Sequence, residues 1–195
     1  MVNSIMVLCT FTYYNNREVE TNIKTYKGVV VYPDGAIFEG HFAQDSMRGE
    51  GRKIFTSMEY IQGTFVDNKL NGYGKRVKSD GAYYEGNFIN GVSEGQGKQH
   101  FSNGDKYEGE FTGGRFGGEG TLTIQNGRCV YKGTFINGLL NGKGMYYEKD
   151  SLKKYEGRFL NGKEDGYGIS ISKSGDKYEG EFANGQRHGK GILTE

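Results

Sequence analysis

The sequence is poor in the residues that usually build a thick hydrophobic core. Only 34% of its 195 residues are hydrophobic, proline occurs once and tryptophan is absent. Glycine is abundant instead, with 34 residues, against roughly 7% of an average protein. This composition would suit a disordered chain, but 15 tyrosines and 12 phenylalanines argue against disorder, because unfolded chains are short of aromatic residues. We therefore expect an ordered fold without a conventional core.

Three further scarcities exclude classes of function. The chain has 25 Lys+Arg against 24 Asp+Glu, a net charge of +1, so it lacks the basic excess of a nucleic-acid-binding protein. Its two cysteines, Cys9 and Cys129, have no CxxC spacing and fit free thiols in a reducing compartment, which predicts a cytoplasmic protein. No run approaches the roughly 20 apolar residues of a membrane-spanning helix, and the apolar run 5–11 lacks the flanks of a signal peptide. Any membrane contact should be peripheral.

A five-residue motif, aromatic-x-Gly-x-Phe, recurs along the chain. Its central glycines are 23 or 24 residues apart, and a Gly-x-Gly pair follows seven residues after each phenylalanine. In the second copy Ile61 replaces the aromatic residue. The seven copies are Phe38–Phe42, Ile61–Phe65, Tyr84–Phe88, Tyr107–Phe111, Tyr131–Phe135, Tyr155–Phe159 and Tyr178–Phe182. Such a period predicts a repeat protein.

The consensus Y-x-G-x-F-x-N-G-x-x-x-G-x-G resembles the MORN (membrane occupation and recognition nexus) repeat family over roughly residues 26 to 191. We divide the chain into an N-terminal cap or degenerate repeat at 1–25 and an array of seven complete copies at 26–195. The resemblance implies a non-enzymatic scaffold or adaptor of the kind found in cilia, flagella and cytoskeletons. It also leaves open peripheral binding to acidic membrane lipids, or a regulatory segment of a larger enzyme.

Turn signals such as Asp80-Gly81 and Asn103-Gly104 stand between the two motifs, where they favour hairpins. Because side chains alternate along a strand, Tyr107 and Phe111 should share one face, with each ring lying over the glycines of an adjacent strand. No segment remains to form a second layer. We predict an all-β fold, an elongated, twisted single-layer antiparallel sheet of consecutive hairpins. Met58 and Ser151 replace turn glycines, and extra residues near 128–129 and 152–153 predict altered turns.

No residue pattern indicates catalysis. The histidines His41, His100 and His188 lie at different positions of the repeat, without metal-ligand spacing, and the glycine pairs lack the third glycine and the helix of a nucleotide-binding loop. Carboxylates recur at one position of the repeat: Glu39, Glu85, Glu108, Glu156 and Glu179. Successive copies should lie about 10 Å apart, so cross-strand ion pairs with lysine are favoured over acid–base chemistry. We predict no catalytic residue, cofactor or metal.

The aromatic row is the strongest candidate for a binding surface. With no opposing layer its rings should stay partly exposed, forming a groove for a helix or an extended peptide of a partner protein. The predicted groove residues are Tyr84, Phe88, Tyr107, Phe111, Tyr131, Phe135, Tyr155, Phe159, Tyr178 and Phe182. A homodimer formed through the terminal hairpins is a further expectation.

Overall fold

The computed structural model describes residues 26–195, so the predicted cap at 1–25 lies outside the described residues. Within this range the chain forms β-strands and one short 3₁₀ helix, Gln125–Gly127. The strands are β1 Tyr26–Val31, β2 Ile37–Ala43, β3 Ser46–Ile54, β4 Tyr60–Val66, β5 Lys69–Val77, β6 Tyr83–Ile89, β7 Val92–His100, β8 Lys106–Thr112, β9 Arg115–Ile124, β10 Cys129–Ile136, β11 Leu139–Glu148, β12 Lys153–Leu160, β13 Lys163–Ile171, β14 Lys177–Ala183 and β15 Gln186–Thr194.

These strands form one antiparallel sheet, in which they follow one another in chain order from β1 to β15. The prediction of a single-layer sheet of consecutive hairpins is confirmed, because every described strand belongs to this sheet and none is left for a second layer. The chain divides after Ser93 into two compact units, called unit 1 and unit 2, which are described separately. Among residues 26–195 no helix is long and apolar enough to cross a membrane.

Two kinds of tight turn alternate along the chain. The predicted kind is seen at Asn103-Gly104, where the N–H of Phe101 donates to the carbonyl of Asp105 at 2.9 Å. The other kind follows each motif, as at Asn137 and Gly138, with φ of 52° and 87°. Positive φ at both central residues is the geometry of a type I′ hairpin turn. This second turn was not predicted, although its Asn-Gly signal belongs to the repeat.

The two turns that contain an extra residue, near 128–129 and 152–153, are irregular as predicted. The chain after β9 forms the 3₁₀ helix, and the Arg128 guanidinium makes an ion pair with the Asp150 carboxylate of the following turn. In that turn the left-handed residue is Leu152 (φ 54°), one position after Ser151. The turn at Met58 was predicted to be altered, but it keeps the regular hydrogen bond, here from the N–H of Phe55 to the carbonyl of Glu59 at 2.8 Å. Met58 itself has φ of 67°. Leu152 and Met58 thus both adopt a conformation that L side chains disfavour.

A line of glycines crosses the sheet perpendicular to the strands, and we call it the glycine row. In unit 1 it runs through Gly28, Gly40, Gly51, Gly63, Gly74 and Gly86, each directly opposite the next. In unit 2 it runs through Gly97, Gly109, Gly120, Gly133, Gly144, Gly157, Gly168, Gly180 and Gly191. Because side chains alternate along each strand, the sheet has two faces. The aromatic face carries Tyr107 and Phe111, and the open face carries Glu108 and Glu110.

Candidate binding groove on the open face

The aromatic face is a packed layer rather than a groove. Tyr107 is 0% exposed, and the expectation of partly exposed rings is wrong for nine of the ten predicted groove residues. The nine buried residues are Tyr84, Phe88, Tyr107, Phe111, Phe135, Tyr155, Phe159, Tyr178 and Phe182. Tyr131 alone is half-buried, with its ring centroid 4.8 Å from that of Tyr146. Single-layer sheets can therefore bury their aromatic residues without an opposing layer.

The rings are buried because they lie over the glycine row and against the next hairpin. A Cβ atom added at Gly120 of the adjacent strand would come within 2.7 Å of Tyr107 Cε2. The Phe116 ring stacks on Tyr107 at 3.8 Å, and Phe135 of the following hairpin packs edge-on at 5.1 Å. This confirms the predicted packing of rings over adjacent glycines. It also explains the burial, since flat-lying rings are covered by their neighbours in the same layer.

Each buried tyrosine hydroxyl has a fixed backbone partner. Tyr107 donates to the carbonyl of Glu110 at 3.0 Å, and Tyr155 donates to the carbonyl of Arg158 at 2.8 Å. Burial, with a smaller contribution from nearby carboxylates, raises the pKa of both phenols to about 12. These tyrosines are thus neutral at neutral pH and donate to the backbone carbonyl of the residue that follows the motif glycine. They are unsuited to proton transfer at that pH.

Leucine covers the glycine row where the tyrosine is missing or displaced. In the hairpin of Ile61, a Cβ at Gly63 would lie 3.1 Å from a methyl of Leu70, and Leu140 stands at the same distance from Gly133. Both leucines are buried. Sequence reasoning missed this core position, which is the second residue after the hairpin turn. Its signal was weak because other copies carry Ser93, Glu164 or Arg187 there.

The open face carries grooves whose floor is the bare backbone of the glycine row. In unit 1 two cavities of about 300 and 520 Å³ lie over Gly40/Gly51 and Gly63/Gly74. In unit 2 a cavity of about 530 Å³ lies over Gly144, Gly157 and Gly168. The side chains on either side of each glycine form the walls. This arrangement offers a shallow channel across the strands, with no side chain on its floor.

Charges differ between the grooves of the two units. The walls in unit 1 combine both signs, including Glu39, Glu50 and Glu85 with Arg52 and Lys75. The walls in unit 2 combine cations with apolar side chains and one carboxylate. They consist of Lys132, Lys143, Met145, Lys154, Glu156, Arg158, Tyr167 and Ile169. The unit 2 groove is therefore the basic one.

Four of the five recurring carboxylates form ion pairs with lysine, and two of these pairs cross between strands as predicted. Two pairs join neighbouring strands and two join residues of one strand. They are Lys75–Glu85 at 3.6 Å and Lys98–Glu108 at 2.8 Å across strands, and Lys154–Glu156 at 3.4 Å and Lys177–Glu179 at 2.8 Å within strands. All are solvent-exposed, so each contributes little to the free energy of unfolding. The pairs Lys75–Glu85 and Lys154–Glu156 line the grooves.

Neither histidine nor cysteine forms a reactive centre in the described chain. The Nδ1 atom of His41 lies 3.0 Å from the carbonyl oxygen of Glu50, and the buried Cys129 thiol lies 3.8 Å from the amide oxygen of Gln125. Within residues 26–195 no group of three or more His, Cys, Asp or Glu side chains is placed to hold a metal ion. The side chains that the open face brings together are suited to binding through charge and surface contact.

The adjacent basic residues Lys75 and Arg76 lie on opposite faces of the sheet. Lys75 faces the open side, with its ammonium 4.3 Å from the Tyr83 ring, whereas Arg76 donates to the carbonyl of Gly91 at 2.9 Å and lies over Phe88 on the aromatic side. Adjacent residues of a strand point to opposite faces. Lys75 and Arg76 therefore do not offer a single site for an anionic headgroup.

Comparison with known proteins gives one family and several solved structures. The MORN repeat model matches residues 62–83, 84–106, 107–127, 131–150, 155–177 and 178–194. The motif at Phe38–Phe42 precedes these matches, although β2 and β3 there form the same bulged hairpin. No curated protein matches significantly. One similar solved structure is the Drosophila melanogaster SAS-4 (dCPAP) TCP domain in complex with a proline-rich motif of Ana2 (dSTIL), with 12% identity over 96% of this chain and 91% of that chain and a TM-score of 0.41.

Proposed function

The chain belongs to the MORN repeat family, and from this membership we propose that it is a non-catalytic scaffold that binds a partner protein along the open-face groove. One observation supports the proposal most directly. The aromatic face is covered by its own rings, while the open face keeps channels over the glycine row in both units. A repeat sheet with one packed face and one channelled face suits the capture of an extended chain.

Two exposed tyrosines mark the groove as an interaction surface. Tyr73 in unit 1 is 64% exposed and Tyr167 in unit 2 is 58% exposed, and both stand between the two glycines of a Gly-x-Gly pair. Their hydroxyls donate to carboxylates of the next strand, Tyr73 to Glu85 at 2.8 Å and Tyr167 to Glu179 at 3.2 Å. Tyrosine is enriched in protein interfaces because its ring is large and amphipathic.

The proposed scaffold role also concerns the aromatic residues, the assembly and the location of the protein. Nine of the ten aromatic residues are buried, so we expect them to support the groove from the opposite face of the sheet and not to touch the partner directly. End-to-end homodimer formation and a cytoplasmic, cytoskeletal or ciliary location are part of the proposed scaffold role.

Site-specific photo-crosslinking in cells tests this proposal. A benzophenone amino acid replaces Tyr73 or Tyr167 in the groove, or Lys173, which is exposed in the turn between β13 and β14. We expect both groove positions to crosslink to the same protein. We expect no crosslink to that protein from position 173. Crosslinking to that protein from Lys173 but not from the groove would refute the open-face assignment. Thermal melts should show that all three substituted proteins are folded.

A further inference from the structure

The unit 2 groove carries more cations than carboxylates, whereas the two unit 1 grooves carry both in similar numbers. Lys132, Lys143 and Arg158 are exposed on its walls. Within residues 26–195 none of the three takes part in an ion pair, whereas Lys154 is paired with Glu156 at 3.4 Å. Three uncompensated cations therefore converge on one channel. In unit 1, Lys75 is paired with Glu85 at 3.6 Å, and the guanidinium carbon of Arg52 lies 4.1 Å from the centre of the Tyr60 ring.

Apolar side chains lie between these cations. Met145 is directly opposite Lys132 on one side and Glu156 on the other, and Ile169 is opposite Glu156. Both Met145 and Ile169 are half-buried in the groove wall, and Tyr167 lines the same cavity. Lys143 and Arg158 are directly opposite each other on neighbouring strands. They lie on the other side of the glycine row from Met145. One wall of the channel thus alternates charged and apolar side chains, Lys132, Met145, Glu156 and Ile169. The other wall carries Lys143, Arg158 and Tyr167.

We propose that this part of the groove, formed by β10 to β13, binds an extended acidic segment of the partner protein with an apolar side chain between its carboxylates. Three strand spacings of about 4.8 Å give a length of about 14 Å, which an extended peptide spans with about four or five residues. Carboxylates of that segment would pair with Lys143, Arg158 and Lys132. Its apolar side chain would contact Met145 and Ile169. This inference rests on the proposed scaffold function and names the chemistry of the partner.

The geometry favours a peptide over an acidic membrane surface. Met145 and Ile169 lie within the wall of a channel, where a narrow chain reaches them and a flat layer of headgroups does not. Glu156 stands between them and would repel a dense array of phosphates, whereas a peptide can place an apolar residue beside it. An open channel also leaves the peptide backbone hydrated, so its amide groups are not buried without partners.

Fluorescence anisotropy with defined peptides tests the inference on the full chain. The probe is a labelled peptide of alternating glutamate and leucine. One comparison peptide has glutamine for glutamate and another has alanine for leucine. We expect the glutamate–leucine peptide to bind at least about tenfold more tightly than either, since both ion pairing and apolar contact contribute. Equal binding of the glutamate and glutamine peptides would overturn the proposal.

Matched variants locate the binding. The double variant Lys143→Gln, Arg158→Gln should bind the glutamate–leucine peptide at least about tenfold more weakly. The control double variant Lys163→Gln, Lys173→Gln should bind the peptide with unchanged affinity. All four side chains are exposed, so both double variants should fold. An equal loss in the control pair would place the binding elsewhere and reject the site. A third outcome is that the peptide does not bind, but the protein sediments with phosphatidylserine vesicles and loses this binding in the Lys143→Gln, Arg158→Gln variant. That outcome would overturn the proposal and show that these cations bind lipid.

The two proposals fail in distinguishable ways. If the peptide does not bind but Tyr73 and Tyr167 still crosslink to a shared protein, the acidic-segment inference is wrong and the groove function stands. If the peptide does not bind and neither tyrosine crosslinks, the groove function is wrong as well. Peptide binding that needs Lys143 and Arg158 supports the inference independently of the crosslinking result.

Discussion

At the scale of single residues, the space beside each glycine decides whether the sheet can pack. Gly51 of the glycine row lies under the Phe38 ring, and a Cβ there would come within 2.7 Å of Phe38 Cε2 and 3.1 Å of the Glu39 carbonyl oxygen. Gly28 belongs to the same row, but a Cβ there would meet only Phe42 Cε2, at 4.0 Å. The two positions form a matched pair within unit 1.

We expect Gly51→Ala to lower the free energy of unfolding by about 1 to 3 kcal/mol, because the added methyl forces the ring or the backbone to move. Gly28→Ala should change it by less than about 0.5 kcal/mol, since its methyl meets only an ordinary van der Waals contact. Urea unfolding followed by far-ultraviolet circular dichroism measures both. Equal losses at the two positions would show that ring packing over glycine is not what constrains the row.

The role of the rings could be predicted from sequence only in part. Alternation along a strand placed Tyr107, Gly109 and Phe111 on one face, which the structure confirms. Ring exposure depends on how each side chain tilts and on what the next hairpin supplies, as Phe135 does for Tyr107. A repeat pattern carries no information about tilt. For this reason the predicted aromatic groove became a buried layer.

At the scale of elements, the turns differ in how well their residues suit the backbone. Most left-handed turn positions carry glycine, asparagine or aspartate, but Leu152 and Met58 hold φ of 54° and 67°. Both side chains are exposed, so their replacement loses few contacts. Leucine and methionine lack the short polar side chain that makes this conformation less costly.

Glycine at either position should therefore stabilise the protein. We expect Leu152→Gly and Met58→Gly each to raise the free energy of unfolding by about 0.5 to 1 kcal/mol, because glycine enters the left-handed region without steric cost. Leu160→Gly is the control: Leu160 is also exposed but lies in the extended strand β12, where glycine should be destabilising. Thermal or urea unfolding compares the three. Destabilisation by both turn variants would contradict this assignment of strain.

Strand pairing was the most predictable property at this scale. Each Asn-Gly or Asp-Gly pair between the two motifs indicated a hairpin, and a hairpin sets its own register through local contacts. The bulge between Gly133 and Phe135 had no sequence signal apart from the repeat itself. The same holds for the apolar position of Leu70 and Leu140, which is apolar only in some copies.

At the scale of the whole molecule, buried phenols link stability to pH. Burial raises the pKa of Tyr32, Tyr107, Tyr131 and Tyr155 above the ordinary value of 10.0, and that of Tyr107 and Tyr155 to about 12. The unfolded chain therefore releases protons at a lower pH than the folded chain does. This contribution to stability is complete below pH 10 and is lost as the pH rises towards about 12.

We expect the urea midpoint to fall steadily as the pH is raised between about 10 and 12. Tyr155→Phe should make that fall less steep, because one of the groups with the largest shift no longer titrates. The same variant should cost about 1 kcal/mol at neutral pH through loss of the hydrogen bond to the Arg158 carbonyl. A midpoint that stays constant across this range would show that the buried tyrosines do not resist ionisation.

The repeat sequence by itself determined the class of fold, the order of the hairpins and the alignment of the glycines. These follow from contacts between neighbouring strands, which the turn residues and the alternation of side chains specify locally. Only the tertiary structure decided which face is packed and which is available for binding. The unit 2 groove brings together Lys132, Lys143 and Arg158 from three strands, and their positions relative to the repeat motifs differ. A site built from residues that differ between copies leaves no periodic signal, because only the folded sheet places them side by side.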